Sequence, residues 1–105
     1  MLAEFEQLVL LAVMRAGNDA YGVPVHAEIR RCTARDVAVA SVYKTLERLE
    51  AKGFVASRIG EPTPERGGRA KRFYSVTSAG RRDLKATLSS IRRLAKGLDV
   101  GLEPS

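Results

Sequence analysis

The sequence predicts a mainly helical α+β domain in which three short helices are followed by two strands and a longer final helix. Apolar residues recur at helical spacing in four stretches. Two short β-branched stretches flank a loop rich in glycine and proline, the pattern of a β-hairpin. The chain has 105 residues, of which 45% are hydrophobic, and its net charge is +6. This length and composition predict one domain with a small core.

The first predicted helix covers residues 4–16. Its apolar residues form two faces, which indicates that one side packs on the core and the other on a second subunit. The second helix covers residues 22–32, where Val25, Ile29 and Cys32 are expected to point inward. After a turn, residues 37–39 could form a minor strand.

The third helix is predicted to begin near Ser41 and to end at Lys52, with Gly53 as its C-terminal stop. Val42, Leu46 and Leu49 follow at i, i+4 and i+7 and are expected to pack inward. The opposite face carries short polar and basic groups of the kind that contact DNA bases and phosphates. The candidate DNA-binding residues on this helix are Ser41, Tyr43, Lys44, Thr45 and Arg48. The alternative is that Arg48 pairs with Glu47 and that Tyr43 belongs to the core.

Most of the excess charge lies in one stretch that covers the hairpin loop, its second strand and the start of the last helix. Residues 58–82 carry seven basic and two acidic side chains, whereas residues 1–57 are balanced. Strands are predicted at 54–59 and 72–76, with a long loop between them. The loop and the strand ends beside it form the wing of the predicted fold. Its candidate DNA-binding residues are Arg66, Gly67, Gly68, Arg69, Lys71 and Arg72. Such a cluster suits phosphates or a narrow minor groove; the alternative is a solvated charged loop.

The last predicted helix covers residues 78–96, with apolar residues at alternating spacings of four and three. We expect it to pack against the first helix and against its counterpart in a second subunit. The predicted dimer residues are Phe5, Val9, Leu84, Leu88, Ile91, Ala95 and Leu98. The predicted organisation is a winged helix-turn-helix domain over 1–76, a dimerisation helix over 77–98 and a flexible tail over 99–105.

Composition also argues against other classes of protein. One histidine, His26, and one cysteine, Cys32, predict no metal site and no disulfide, and burial of Cys32 is favoured over a redox role. The sequence contains no nucleophile–base motif and no phosphate-binding loop, so we expect neither an enzyme nor a bound cofactor. No stretch approaches a membrane span and no signal peptide is evident, so we expect a cytoplasmic protein.

Four segments resemble the PadR family of bacterial transcriptional regulators. They begin at Phe5, Ala20, Ser41 and Gly67, and the most specific are SVYKTLERLEAKGFV and GGRAKRFYSVTSAG. The resemblance, to a short subgroup without a separate effector domain, implies a homodimeric repressor with crossing C-terminal helices and a near-palindromic operator. It also implies a bacterial protein that associates with the nucleoid through DNA, and a possible small-molecule effector. A winged-helix protein-interaction module and a non-specific DNA-coating protein are the alternatives.

Overall fold

The computed structural model describes residues 2–61 and 70–100. Its helices are α1 (Glu4–Ala16), α2 (Gly22–Thr33), α3 (Val39–Ala51) and α4 (Ser78–Ala95), and its strands are β1 (Val55–Ile59) and β2 (Arg72–Val76). A single 3-10 turn, Gly17–Asp19, joins α1 to α2. Three helices followed by a two-stranded hairpin confirm the predicted winged helix-turn-helix fold.

The core lies between the three N-terminal helices and is closed on one side by the hairpin. Its fully buried large side chains come from α1, α2 and α3 and are Val9, Leu10, Val25, Ile29, Val42, Leu46 and Leu49. Val55 of β1, Tyr74 of β2 and Leu84 of α4 are also buried. The predicted inward stripe of the third helix is therefore confirmed, and it holds the opposite face of α3 toward solvent.

The two strands are antiparallel and in register from Val55 with Val76 to Ile59 with Arg72. Directly paired residues point to the same side, so Ser57 and Arg72 share the face that carries the buried Tyr74. The amide of Tyr74 donates to the carbonyl of Ala20 at 2.8 Å. This hydrogen bond attaches the hairpin to the segment that leads into α2.

Two local predictions were wrong. Residues 37–39 form no strand: Val39 begins α3, two residues ahead of the predicted start. Cys32 is exposed, although its spacing from Ile29 suggested burial. The reason is its place in the last turn of α2, beside an open groove that Leu8, Leu11 and Arg15 of α1 also line.

The first half of α4 packs on the domain and the second half does not. Thr77 caps the helix by accepting a hydrogen bond from the Gly80 amide at 3.1 Å, and Gly80, Leu84 and Thr87 are buried. Beyond them the apolar side chains are exposed, with Leu88 at 37%, Ile91 at 45%, Leu94 at 80% and Leu98 at 65%.

Among the helices in the described ranges, none is long and apolar enough to cross a membrane.

Candidate nucleic-acid interface

Helix α3 presents a polar face to solvent. Ser41, Tyr43, Lys44 and Arg48 are all exposed, as predicted for DNA-contacting residues. Thr45 is the exception, because it is only 3% exposed and packs inside the domain. It lies at i+3 from Val42 and i−4 from Leu49, so it belongs to the buried stripe. The prediction that Thr45 contacts DNA is therefore wrong for this fold.

Tyr43 is held against the start of α2. A Cβ atom at Gly22 would collide with the Tyr43 ring, so the absence of a side chain at Gly22 is what allows the ring to lie there. Tyr43 nevertheless remains 43% exposed, which excludes the alternative that it is a core residue. Arg48 forms no ion pair with Glu47 among the described residues. Both side chains thus remain available on the outer surface.

The base of the wing places Arg72 near the end of α3. Its Nη1 donates to Ser57 Oγ at 3.0 Å, and Ser57 Oγ donates to Glu50 Oε2 at 2.5 Å. Four predicted wing residues, Arg66, Gly67, Gly68 and Arg69, lie outside the described residues. The described part of the wing is its base, where Lys71 leads into β2 at Arg72.

The other face of the hairpin carries alternating cations and aromatic rings. Lys71 Nζ lies 4.4 Å from the centroid of the Tyr21 ring, and the Arg58 guanidinium lies 4.7 Å from that of Phe73. The Tyr21 and Phe73 rings meet edge to face at 5.4 Å. Cation–π contacts of this kind orient long basic side chains at a surface. Sequence reasoning missed Arg58 and this role of Tyr21; the pairing of Arg58 with Phe73 depends on strand register.

The basic side chains of this surface form no direct ion pairs within the described ranges. The ion pairs in the described part of the chain join Arg31 to Glu28, Arg35 to Glu4 and Lys52 to Glu6, and none includes Lys44, Arg48, Arg58 or Arg72. Burial raises the pKa of Tyr74, Arg72 opposes that shift, and Glu50, Glu47 and Tyr43 add to it. Tyr74 therefore remains a neutral phenol beneath the junction of α3 and β2.

No group of residues in the described ranges could hold a metal ion. His26 is committed to a structural contact, since its Nε2 lies 2.5 Å from the Val37 carbonyl oxygen and ties α2 to the turn before α3.

The predicted dimer surface is only partly available. Val9 is fully buried in its own chain and Leu84 is 5% exposed, because both pack into the domain core. Neither offers surface to a partner, which corrects both predictions. Phe5 and Ala95 are half-buried, whereas Leu88, Ile91 and Leu98 are exposed. Leu11, Met14 and Leu94 are also exposed and were not among the predicted dimer residues.

Several solved structures share this fold. A PadR family transcription regulator from Clostridium difficile matches with a TM-score of 0.75 and 19% identity, over 90% of this chain and 93% of that one. A PadR family regulator from Eggerthella lenta matches with a TM-score of 0.65 and 24% identity, over 97% of this chain and 88% of that one. The Aeropyrum pernix ORC1 protein in complex with DNA shares the fold at a TM-score of 0.64 and 20% identity, over 89% of this chain and 26% of that one.

No curated protein matches the chain. The model of the transcriptional regulator PadR-like family matches residues 10–86, which include α2, α3, the hairpin and the start of α4. Members of this family are transcriptional regulators and not enzymes. This match covers well over half of the sequence, so the chain belongs to the PadR-like family of transcriptional regulators.

Proposed function

We propose that the protein is a repressor that binds a near-palindromic operator in duplex DNA as a homodimer. One observation carries the DNA-binding surface: the exposed face of α3 and the base of the wing present Lys44, Arg48 and Arg72 without a direct acidic partner in the described ranges. A helix of this kind enters the major groove, and the wing contacts the adjacent backbone. Arg48 or Lys44 is proposed to read guanine and Tyr43 to contact a phosphate.

The surface of α4 supports the homodimer. The second half of this helix exposes Leu88, Ile91 and Leu94, and Leu98 just beyond the helix end is exposed as well. An apolar stripe is thus left uncovered in the single chain. A second copy would cover this stripe with the same stripe, as two-fold symmetry requires. The proposed division is thus a DNA-binding domain over 1–76 and a dimerisation helix over 77–98.

The groove between α1 and α4 supports a further element of the proposal, a small-molecule effector that relieves repression. Leu11, Met14, Leu84 and Leu88 line its apolar part, and its volume is about 420 Å³. A volume of this order suits a small organic ligand.

Binding to selected and random duplexes tests the function. Sequences enriched from a random pool should bind roughly a thousandfold or more tightly than random duplex of the same length. Equal affinity for both would instead indicate a DNA-coating protein. A lack of any salt-dependent binding would support a protein-interaction module.

Two variants locate the interface. Arg48→Ala should weaken binding to the selected duplex by roughly 5- to 150-fold, the range of one lost base contact. Arg93→Ala is the matched control, because this arginine is exposed on the outer face of α4. Equal losses in both variants would contradict the assignment of α3.

A further inference from the structure

We propose that Ser57 and Glu50 are positioning residues that hold the guanidinium of Arg72 ready for a DNA phosphate. This inference rests on the proposed function, because it concerns how one cation of that DNA-binding surface is oriented. Its basis is the chain of two hydrogen bonds from Arg72 to Ser57 and from Ser57 to Glu50.

The hairpin register brings the first two residues together. Ser57 pairs with Tyr74 and Arg72 pairs with Ile59, so Ser57 and Arg72 are diagonal neighbours on one face. Arg72 Nη1 donates to Ser57 Oγ at 3.0 Å. The guanidinium thus has a defined anchor at the point where the wing begins.

Glu50 fixes the orientation of the Ser57 hydroxyl by accepting its hydrogen bond. A hydroxyl has one proton to donate and lone pairs to accept with. Ser57 Oγ donates a hydrogen bond to Glu50 Oε2 at 2.5 Å, which leaves its lone pairs to accept from Arg72. The carboxylate also makes the hydroxyl oxygen a better acceptor, because linked hydrogen bonds polarise one another. Glu50 lies in the last turn of α3, so the network links this helix to the wing.

The arrangement orients Arg72 without neutralising it. Arg72 and Glu50 form no direct ion pair, since the serine hydroxyl lies between them. Of the five guanidinium N–H donors, one is used within the described residues, and the side chain is exposed. The others can reach a phosphate. An anchored guanidinium loses less side-chain freedom on binding than an unrestrained one.

Serine variants provide the first test, using a random-sequence duplex of about 30 base pairs, since phosphate contacts do not depend on sequence. Ser57→Ala should weaken binding roughly 3- to 10-fold, about the weight of one hydrogen bond. Ser57→Thr retains the hydroxyl and should restore binding to within about twofold. Ser75→Ala is the matched control, because this exposed serine lies on the opposite face of the hairpin and should change nothing. In an Arg72→Ala background, Ser57→Ala should cause no additional loss.

Glutamate variants give a test in which two explanations predict opposite signs. Removal of any negative charge near DNA should strengthen binding by simple electrostatics. Glu50→Gln should instead weaken it, because Ser57 becomes a poorer acceptor for Arg72. Glu47→Gln, an exposed neighbour on α3 without a hydrogen bond to Ser57, should leave binding unchanged or strengthen it. A gain in both variants would overturn the proposal.

Nitrogen-15 NMR of the arginine side chains in free protein separates this proposal from the proposed function. Hindered rotation of the Arg72 guanidinium is expected in the wild type and in Ser57→Thr, and free rotation in Ser57→Ala and Glu50→Gln. Equal rotation in all four would overturn the positioning role even where DNA binding is intact. Hindered rotation in a wild type that binds no duplex would refute the proposed function alone. Thermal unfolding of each variant identifies any loss of fold. If Ser57→Ala does not fold, Glu50→Gln serves as the test in its place.

Discussion

Truncation of Ile91 should weaken the proposed dimer by an amount that the structure sets. Ile91 is 45% exposed in the single chain. Full burial of such a side chain contributes roughly 1.5–3 kcal/mol, so coverage of the exposed part contributes roughly 0.7–1.3 kcal/mol per chain. A two-fold dimer contains two copies, which gives roughly 1.4–2.6 kcal/mol in total. Ile91→Ala should therefore raise the dimer Kd roughly 10- to 80-fold.

Sedimentation equilibrium over a concentration series measures this constant directly. Arg82→Ala is the matched control, because Arg82 is exposed on the side of α4 away from Leu84 and Leu88. We expect its dimer Kd to stay within about threefold of the wild type, the weight of a surface charge. A wild type that stays monomeric, or an Ile91→Ala dimer as tight as the wild type, would refute the reasoning.

Two further predictions concern the stability of the domain. Leu46 is fully buried, so Leu46→Ala should lower the free energy of unfolding by roughly 2–5 kcal/mol, and a loss below about 1 kcal/mol in urea titration would show that the site is not core. Burial raises the pKa of Glu6, but hydrogen bonds from Lys52 Nζ at 2.7 Å and from the Ala3 amide outweigh burial and lower it overall. A lowered carboxyl pKa stabilises the fold above the ordinary value of 4.5, and this part is lost as the pH falls below it. The stability difference between wild type and Glu6→Gln should therefore shrink on acidification, and parallel unfolding curves at about pH 7 and about pH 3 would contradict this.

The sequence predicts the elements of this fold well because their periodicity is strong. Val42, Leu46 and Leu49 follow the helical repeat and are fully buried, and the hairpin is signalled by two β-branched stretches around a glycine-rich loop. The polar or apolar type of a residue predicts its burial less reliably than its position in the helical repeat does. The polar side chain of Thr45 predicts a place on the DNA face, yet its spacing from Val42 places it inside.

The contacts between elements could not be predicted in this way. The network of Glu50, Ser57 and Arg72 depends on strand register and on where α3 ends, and a slip of one residue would move Ser57 to the other face. The exposure of Cys32 likewise depends on whether a neighbouring element covers the last turn of α2. Both properties depend on residues that are distant in the sequence.

Under the proposed function, two copies of this domain present α3 and the wing to one duplex. Hydroxyl-radical footprinting on a duplex enriched from a random pool tests it most directly. Binding of two copies predicts two protected patches related by a dyad, with centres about one helical turn apart, which is about 34 Å. A single unpaired patch, protected by one chain per duplex, would contradict it.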